Sequence, residues 1–522
     1  MKTMPETGIV YIIGAGPGDP GLITVRGKEL LESCDAVVFD DLIPDELIAV
    51  LPASVEKYYV GKKPGHHFTS QDEINALIVK LARAGKSVAR LKGGDPFIFG
   101  RGREEAEVLL ENEIQYEIVP GVTSGIAAPM YAGIPCTDRN KASFVVFVTG
   151  HKAEDKATNS VPWEWIAGAH NGTVVIYMGI GELESIIENL INSGMPPSIP
   201  AAIIERGTFP SQRIIKAHLK DLPLKASSEN IEPPAIVVIG DVVEYYPKLS
   251  WFNDRPLAEL RVMVTRPADQ AVEMYRVLRG YGAEVMAYPT IATEEYIDPS
   301  TWDSFQDIVS RSKKSDLSGW IILTSENGVR YFFNQFRQRG NDIRSLSNFK
   351  IAVVGYGTAA ALKKHGINRD FVPTTATTAA LADQLVSSVD LKGIPILRIR
   401  GNLGDDSIER KLRDAGGIVS ALQVYRTFTP VWPDGFKEKL FKRPPDIITF
   451  TSGSTISGLF DLLGEADAKR LLEKSKTITI GPSTTNVLAS FGLKPSLEAK
   501  EHSVPGLIDE LVNYFISERE MK

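Results

Sequence analysis

Aspartates follow glycine or apolar runs at several points in this chain: Asp19 after GAGPG, Asp40 and Asp41 after AVVF, and Asp95 after RLKGG. A carboxylate at the end of a strand faces whatever binds beyond the sheet. There it can take a proton or accept hydrogen bonds from hydroxyl and ammonium groups. Beside Asp95, Gly93 and Gly94 let backbone approach a ligand closely. VPGVTSGIAAP adds Thr123 and Ser124 as neutral donors, and ERGTFPSQR, around Gly207, is another loop of this kind. Each alone reads as an ordinary strand-to-helix turn; several in one α/β unit point to a shared binding site.

The first of these loops imitates a dinucleotide site. VYIIGAGPGDPG is an apolar strand breaking into glycine, and an acid follows some distance on at Asp40. Two features oppose a nicotinamide cofactor. Pro17 has no N–H to give a pyrophosphate, and Asp19 stands where the third glycine of GxGxxG belongs. Both are compatible with a ligand that has a positive centre and no phosphate, a description that S-adenosylmethionine meets.

The elements that hold these loops are α/β. In the first half, GIVYIIG, AVVFD, SVARLKGGD, FVVFVTG, TVVIYMG, AAIIERG and AIVVIGDVV read as strands. Between them QDEINALIVKLARAG has the apolar spacing of a helix face, with Ser70 and Glu73 as a capping box. YYPKLSWFNDRPLAEL breaks the rhythm and marks a domain boundary. Beyond it the chain repeats itself: Thr324 and Thr451 lie 127 positions apart, Gly355 and Gly481 lie 126 apart, and VTRP and RIRG are weaker mates. Two similar lobes around a cleft are expected.

The 522 residues are too many for one ordinary core, and the 43% apolar and 24% charged composition is that of a globular protein. A net charge of −7 argues against a nucleic-acid partner. No apolar run approaches the ~18 residues of a membrane span, and MKTMPETG lacks the apolar core of a secretion signal. Cys34 and Cys136 have no CxxC spacing, so neither a disulfide framework nor a metal site is expected. A cytoplasmic protein with reduced thiols follows as the expectation.

Taken together, GAGPGDPGLIT, VGKKPGHHFTSQDEIN, RLKGGDPFIFGRGREE, VPGVTSGIAAPMYAGIPCT and ERGTFPSQR resemble uroporphyrinogen-III C-methyltransferase over residues 8–245. Lys63 departs from the usual arginine and Phe68 from a small residue. The resemblance implies two methyl transfers from S-adenosylmethionine, to C2 and C7 of uroporphyrinogen III, giving precorrin-2. It implies Asp40 as proton acceptor and Lys62 as proton donor. The cofactor set carried over is Pro17, Gly93, Gly94, Asp95, Ile98, Thr123, Ser124, Met178 and Gly207. Lys62, Lys63, His66, His67, Arg101 and Arg103 form a local basic patch for the substrate carboxylates, with Lys63, His67 and Arg101 as named binders.

From about Leu260 to Phe515, VTRP, TSENGV, VGYGTA, VYRT, FTSGST and IGPSTT, in that order, resemble uroporphyrinogen-III synthase. That family's reaction cyclises hydroxymethylbilane with inversion of ring D and needs no cofactor. Its fold implies two interleaved lobes joined by extended strands near AEVMAYPTI and VSALQVYRT. Tyr425 is the candidate for handling a proton, with Thr324, Ser325, Thr358, Ser452 and Thr484 as binding candidates.

The expected architecture is therefore a two-lobed tetrapyrrole methylase α/β domain (1–245), a linker (246–258), and a two-lobed, internally duplicated flavodoxin-like α/β synthase domain (259–522). The methyltransferase family is typically dimeric, so a homodimer through that half is expected. Three alternatives stand beside this reading: a nicotinamide enzyme in the first half, a methylase acting on a later corrin intermediate, and a second half that only binds a ligand and regulates the first.

Overall fold

The computed structural model describes residues 7–52, 54–61, 69–150, 161–168, 171–315, 318–404 and 406–520. It divides into two compact units, Met1–Pro289 with Val431–Lys522, and Thr290–Pro430.

The first unit opens with a parallel sheet in the spatial order Glu56–Tyr59, Ala36–Phe39, Val88–Lys92, Ile9–Gly14, Gln115–Val119. Its central strands are buried on both faces, which is why they read as continuous apolar runs. A mixed sheet follows, in the order Phe144–Thr149, Gly172–Tyr177, Ala235–Ile239, Pro200–Glu205, Arg213–His218. All seven strands expected in this half form. Glu56–Tyr59, Gln115–Val119 and Arg213–His218, which the sequence pattern did not reveal, are all edge strands. An edge strand is half wet and carries no long apolar run. Helix Gln71–Arg83 forms on the expected face, and the Ser70–Glu73 capping box is complete.

The boundary segment is packed down. Trp251 and Phe252 stack on Tyr131 with ring centroids 5.1 and 4.7 Å away, and Trp251 Nε1 donates to the Met130 carbonyl at 3.2 Å. The same unit then holds a parallel sheet in the order Glu284–Ala287, Arg261–Val264, Ile447–Phe450, Lys476–Thr479, Leu497–Glu498. Numbered along the chain this is 2-1-3-4-5, the flavodoxin-like order.

The second unit has the sheet Ala292–Glu295, Ile418–Phe428, Pro395–Gly401, Gly319–Leu323, Phe349–Val353, with only the first pair antiparallel. Numbered along the chain its last four strands run 4-3-1-2, which becomes 2-1-3-4 when counting starts at Pro395–Gly401, a circular permutation, and Phe371 bridges Ala352 where a fifth strand would lie. Strand Arg261–Val264 thus has Pro395–Gly401 as its counterpart, the VTRP and RIRG pair. The chain leaves the first unit after Pro289 and returns at Val431, so its two flavodoxin-like lobes are interleaved in sequence.

Candidate functional site

Three strand-end turns meet at the carboxyl end of the parallel sheet. Gly16 and Gly94 exchange backbone hydrogen bonds, with Gly94 N donating to Gly16 O at 2.7 Å and Gly16 N to Gly94 O at 3.3 Å. A Cβ on Gly121 would lie 2.2 Å from Gly94 O and 2.7 Å from Gly14 Cα. Asp95 ties two of these turns: its carboxylate accepts from Gly121 N at 3.0 Å and from Phe97 N at 2.8 Å. At Gly94, with φ +69°, a Cβ would meet no atom nearer than 3.8 Å, so the space beside it is open. Pro17 sits in the first turn, between Gly16 and Gly18.

Asp19 does not present its charge to this space. It caps the short helix Pro20–Leu22 through Gly21 N and accepts from the Tyr131 hydroxyl at 2.9 Å. It also pairs with Arg279 at 3.4 Å. The departure from a dinucleotide turn is real, but its cause is structural.

Asp40 ends strand Ala36–Phe39. One carboxylate oxygen accepts from Leu42 N at 3.1 Å, and the other lies 3.5 Å from the buried Arg90 guanidinium. Leu42 in turn packs on Gly93, whose added Cβ would meet it at 2.9 Å. Behind Asp40 lies a buried cluster: Glu105 accepts from Arg90 Nε at 3.2 Å, Lys92 Nζ at 2.8 Å and Gln71 Nε2 at 3.0 Å. Burial works to raise the Glu105 carboxyl, but Arg90 and Lys92 outweigh it and hold the group below the usual carboxylate range. Arg90, Lys92, Gln71 and Glu105 were not singled out from sequence as supporting residues. The available signal was two cations at alternate positions of a strand otherwise reading as core, which places both on one face.

The second sheet closes on the first through Tyr177. Its hydroxyl lies 2.7 Å from Thr123 Oγ1 and accepts from Gly125 N at 2.9 Å. The Thr123 hydroxyl is thereby engaged within the protein, whereas Ser124 starts helix Ser124–Tyr131 half-exposed. Met178, next along, is 52% exposed and holds φ 53°. Phe99, Arg101, Arg206 and Thr208 also carry positive φ, a concentration of strained backbone on the loops around one opening. Ile98 is exposed there, while Gly207 is dictated by packing, since its Cβ would lie 2.2 Å from that of Ala128.

Of the expected basic patch, Lys62, Lys63, His66 and His67 lie outside the described residues. Arg101 and Arg103 are exposed and paired with Glu104 and Glu107 of their own helix. Such exposed pairs are weak and exchange readily for another carboxylate.

In the second unit, Ser325 caps helix Glu326–Gln338 by accepting from Gly328 N at 2.9 Å, and its Oγ lies 3.0 Å from the Tyr425 hydroxyl. Tyr331 stacks on Tyr425 at 5.6 Å. Thr324 is half-exposed, and Thr358 is buried in helix Tyr356–Lys363, which Gly355 caps. In the first unit the counterparts are Ser452, the N-cap of helix Gly453–Leu463, and Gly481, which caps Pro482–Ser490. Thr484 is buried in that helix. Each lobe therefore ends neighbouring strands in helix N-termini, where unpaired N–H groups and the helix dipole attract carboxylates.

The chain matches the family Tetrapyrrole (Corrin/Porphyrin) Methylases over residues 9–223 and the family Uroporphyrinogen-III synthase HemD over residues 272–509. It is 37% identical over 508 residues to a porphyrin biosynthesis protein HemD of Ruminiclostridium josui, covering 97% of this chain and 98% of that one. A uroporphyrinogen-III C-methyltransferase of Bacillus subtilis is 39% identical over 361 residues, 69% of this chain and 72% of that one. An S-adenosyl-L-methionine-dependent uroporphyrinogen III methyltransferase of Methanosarcina barkeri is 46% identical over 239 residues, 46% of this chain and 93% of that one. A crystal structure of a Thermus thermophilus uroporphyrin-III C-methyl transferase, 37% identical, covers 46% of this chain and 100% of its own, with a TM-score of 0.39. With turns, acid and paired lobes in place, the chain belongs to the tetrapyrrole methylases through its first half and to the uroporphyrinogen-III synthases through its second.

Proposed function

We propose that residues 259–522 close hydroxymethylbilane to uroporphyrinogen III with inversion of ring D, and that residues 1–245, joined through 246–258, methylate that product at C2 and C7 to precorrin-2. The observation that carries the methyltransferase reading is the Gly16–Gly94 backbone pairing with Asp40 at the edge of the same opening. The donor set fits S-adenosylmethionine: open backbone at Gly94, exposed Ile98 and Met178, and the carboxylates of Asp40 and Asp95. When bound, S-adenosylmethionine supplies the electrophilic methyl group. Pro17, Gly93, Gly94, Asp95, Ile98, Ser124 and Met178 are assigned to hold it, with Thr123 and Gly207 contributing backbone, since the Thr123 hydroxyl is bonded to Tyr177 and Gly207 is packed on Ala128.

Asp40, oriented by Leu42 N–H and Arg90, takes the proton lost from the reacting pyrrole, and Lys62 donates a proton. Lys63, His67 and Arg101 bind the substrate carboxylates. Alignment of the reacting carbon with the methyl group is the other contribution of the pocket.

In the synthase half, Tyr425 assists departure of the substrate hydroxyl, and Thr324, Ser325 and Thr358 in one lobe and Ser452 and Thr484 in the other are assigned to the substrate carboxylates. The hydroxyl pair Ser325–Tyr425 and the matching N-cap positions of Ser325 and Ser452 support that reading. A homodimer through the methyltransferase half is supported by the exposed apolar Leu110, Tyr116, Ile126 and Met130. A cytoplasmic location fits the two unpaired cysteines, and no helix of the described residues is long and apolar enough to cross a membrane.

A coupled assay of the intact chain with hydroxymethylbilane and S-adenosylmethionine, read by mass, tests both halves. Doubly methylated product of the type III isomer is expected. Spontaneous type I product alone would reduce the second half to a binding module, and failure to methylate supplied uroporphyrinogen III would reject the reading of the first.

A further inference from the structure

Within the first compact unit, the methylase part and the synthase part share one apolar cluster. Leu47, Ile48 and Leu51, on and after helix Asp45–Ala49, belong to it together with Met286, Tyr288, Phe436 and Leu440 of the synthase half. Ion pairs surround this contact: Lys439 with Asp45, and Arg206 with Glu284 at 3.3 Å. A further cation there is Arg279, in the last turn of helix Ala268–Gly280.

Arg279 reaches two loops of the methyltransferase site. One guanidinium nitrogen lies 3.4 Å from Asp19 Oδ1 and another 3.1 Å from Glu46 Oε1. Asp19 ends the turn that carries Pro17, and its own N–H donates to Thr208 Oγ1 at 3.1 Å, on the loop of Gly207. Glu46 lies in the helix that follows the Asp40 loop. A second route from the synthase side converges on Asp19. Arg255 donates to the Arg279 carbonyl at 2.9 Å and stacks over Phe252, which packs on Tyr131, whose hydroxyl donates to Asp19. Asp19, Glu46 and Arg279 are all largely shielded, with side-chain exposures of 27%, 10% and 27%. Solvent therefore weakens these pairs less than exposed ones.

We propose that Arg279, a residue of the synthase half, is a positioning residue for methyl transfer: its guanidinium ties the turn after Pro17 to the helix after Asp40, so the cofactor turn is set only when the synthase lobe is docked. This rests on the cofactor role proposed above for that turn. The physical reason is geometric. Apart from Arg279, the turn's own acid is held among the described residues by a short-range cap, one phenol and the field of Arg255, and a planar fork with several donors can engage two carboxylates at once. The fusion then has a use beyond joining two activities, because folding and docking of one enzyme completes the site of the other.

The test uses the full-length chain at pH 8. Calorimetry gives S-adenosylhomocysteine affinity; KM for S-adenosylmethionine, kcat for methyl transfer, and the ring-closure rate are measured alongside. For Arg279→Ala, the dissociation constant and KM are expected to rise about tenfold, with ring closure and the cooperative thermal transition retained. Arg279→Lys should recover part of the loss, since a cation remains but without the fork. In the double variant Arg279→Ala/Asp19→Asn, binding should be no weaker than in Asp19→Asn alone. Unchanged affinity in Arg279→Ala, additive losses in the double variant, or an equal fall in ring closure would each overturn the assignment to Arg279. A wild-type chain that fails to bind S-adenosylhomocysteine would instead overturn the cofactor reading of the turn, a distinct result.

Discussion

The Arg90 guanidinium lies 3.5 Å from the Asp40 carboxylate and 3.2 Å from that of Glu105, so one buried cation serves both an acid at the site opening and an acid in the core. Asp40→Ala is expected to lower methyl transfer by about 10²- to 10⁴-fold, the range of a lost general base, while ring closure continues. Mass analysis of the product from each substrate separates the two. Arg90→Leu also leaves Glu105 with one fewer cation in a dry setting, and denaturant unfolding should show a loss of about 3 kcal/mol.

Gly121 touches backbone on two sides, so its neighbours cannot yield. Gly121→Ala would place a methyl 2.2 Å from the Gly94 carbonyl. A stability loss of about 1–3 kcal/mol and a clear fall in S-adenosylhomocysteine affinity are expected in the same variant. Gly181→Ala is the control, because nothing lies within 4 Å of the added carbon. Equal effects in the two variants would contradict this account of close packing.

Tyr425→Phe removes the hydroxyl that meets Ser325 Oγ but keeps the ring stacked on Tyr331. Ring closure should slow by about tenfold or more, with methylation of supplied uroporphyrinogen III unaffected. An unchanged ratio of type III to type I product would remove Tyr425 from the reaction.

Glu46 sets a pH dependence. Burial raises its carboxyl from 4.5 to about 7; Arg279 acts to lower it and Asp19 to raise it. The folded chain thus keeps a proton that the unfolded chain has released. This contribution to stability is fully present below about 4.5 and is lost as pH rises through about 7. Thermal melts across that window should show a slope that Glu46→Gln flattens.

Burial pushes both thiols, Cys34 and Cys136, up to about 11. At neutral pH little thiolate exists, so the native chain should alkylate slowly and both cysteines should label together on unfolding. Rapid modification of either in the folded protein would contradict the burial of Cys34 or the partial burial of Cys136.

Much of this molecule is written in local pattern. The strands found from the first half are mostly those buried on both faces; the missed edge strands carry Glu56, Gln115 and Arg213 because water covers one side of them. The duplication was legible in spacing alone, since Thr324 and Thr451 follow equivalent strands in the two lobes. Asp19 shows where local reading stops: its type and position pointed away from a dinucleotide turn, but its partners Tyr131 and Arg279 lie 112 and 260 positions away.

The sequence by itself determined the α/β class, the two halves, the repeat within the second, and which loops are candidates for chemistry, because strand burial, glycine conformation and helix capping are short-range effects. Only the tertiary structure decided that Thr123 spends its hydroxyl on Tyr177, that Gly207 serves packing, that Arg90 backs Asp40, and that Arg279 reaches across to Asp19. Those pairings join residues distant along the chain, and a side chain's partner is set by where the fold brings it and not by its neighbours in sequence.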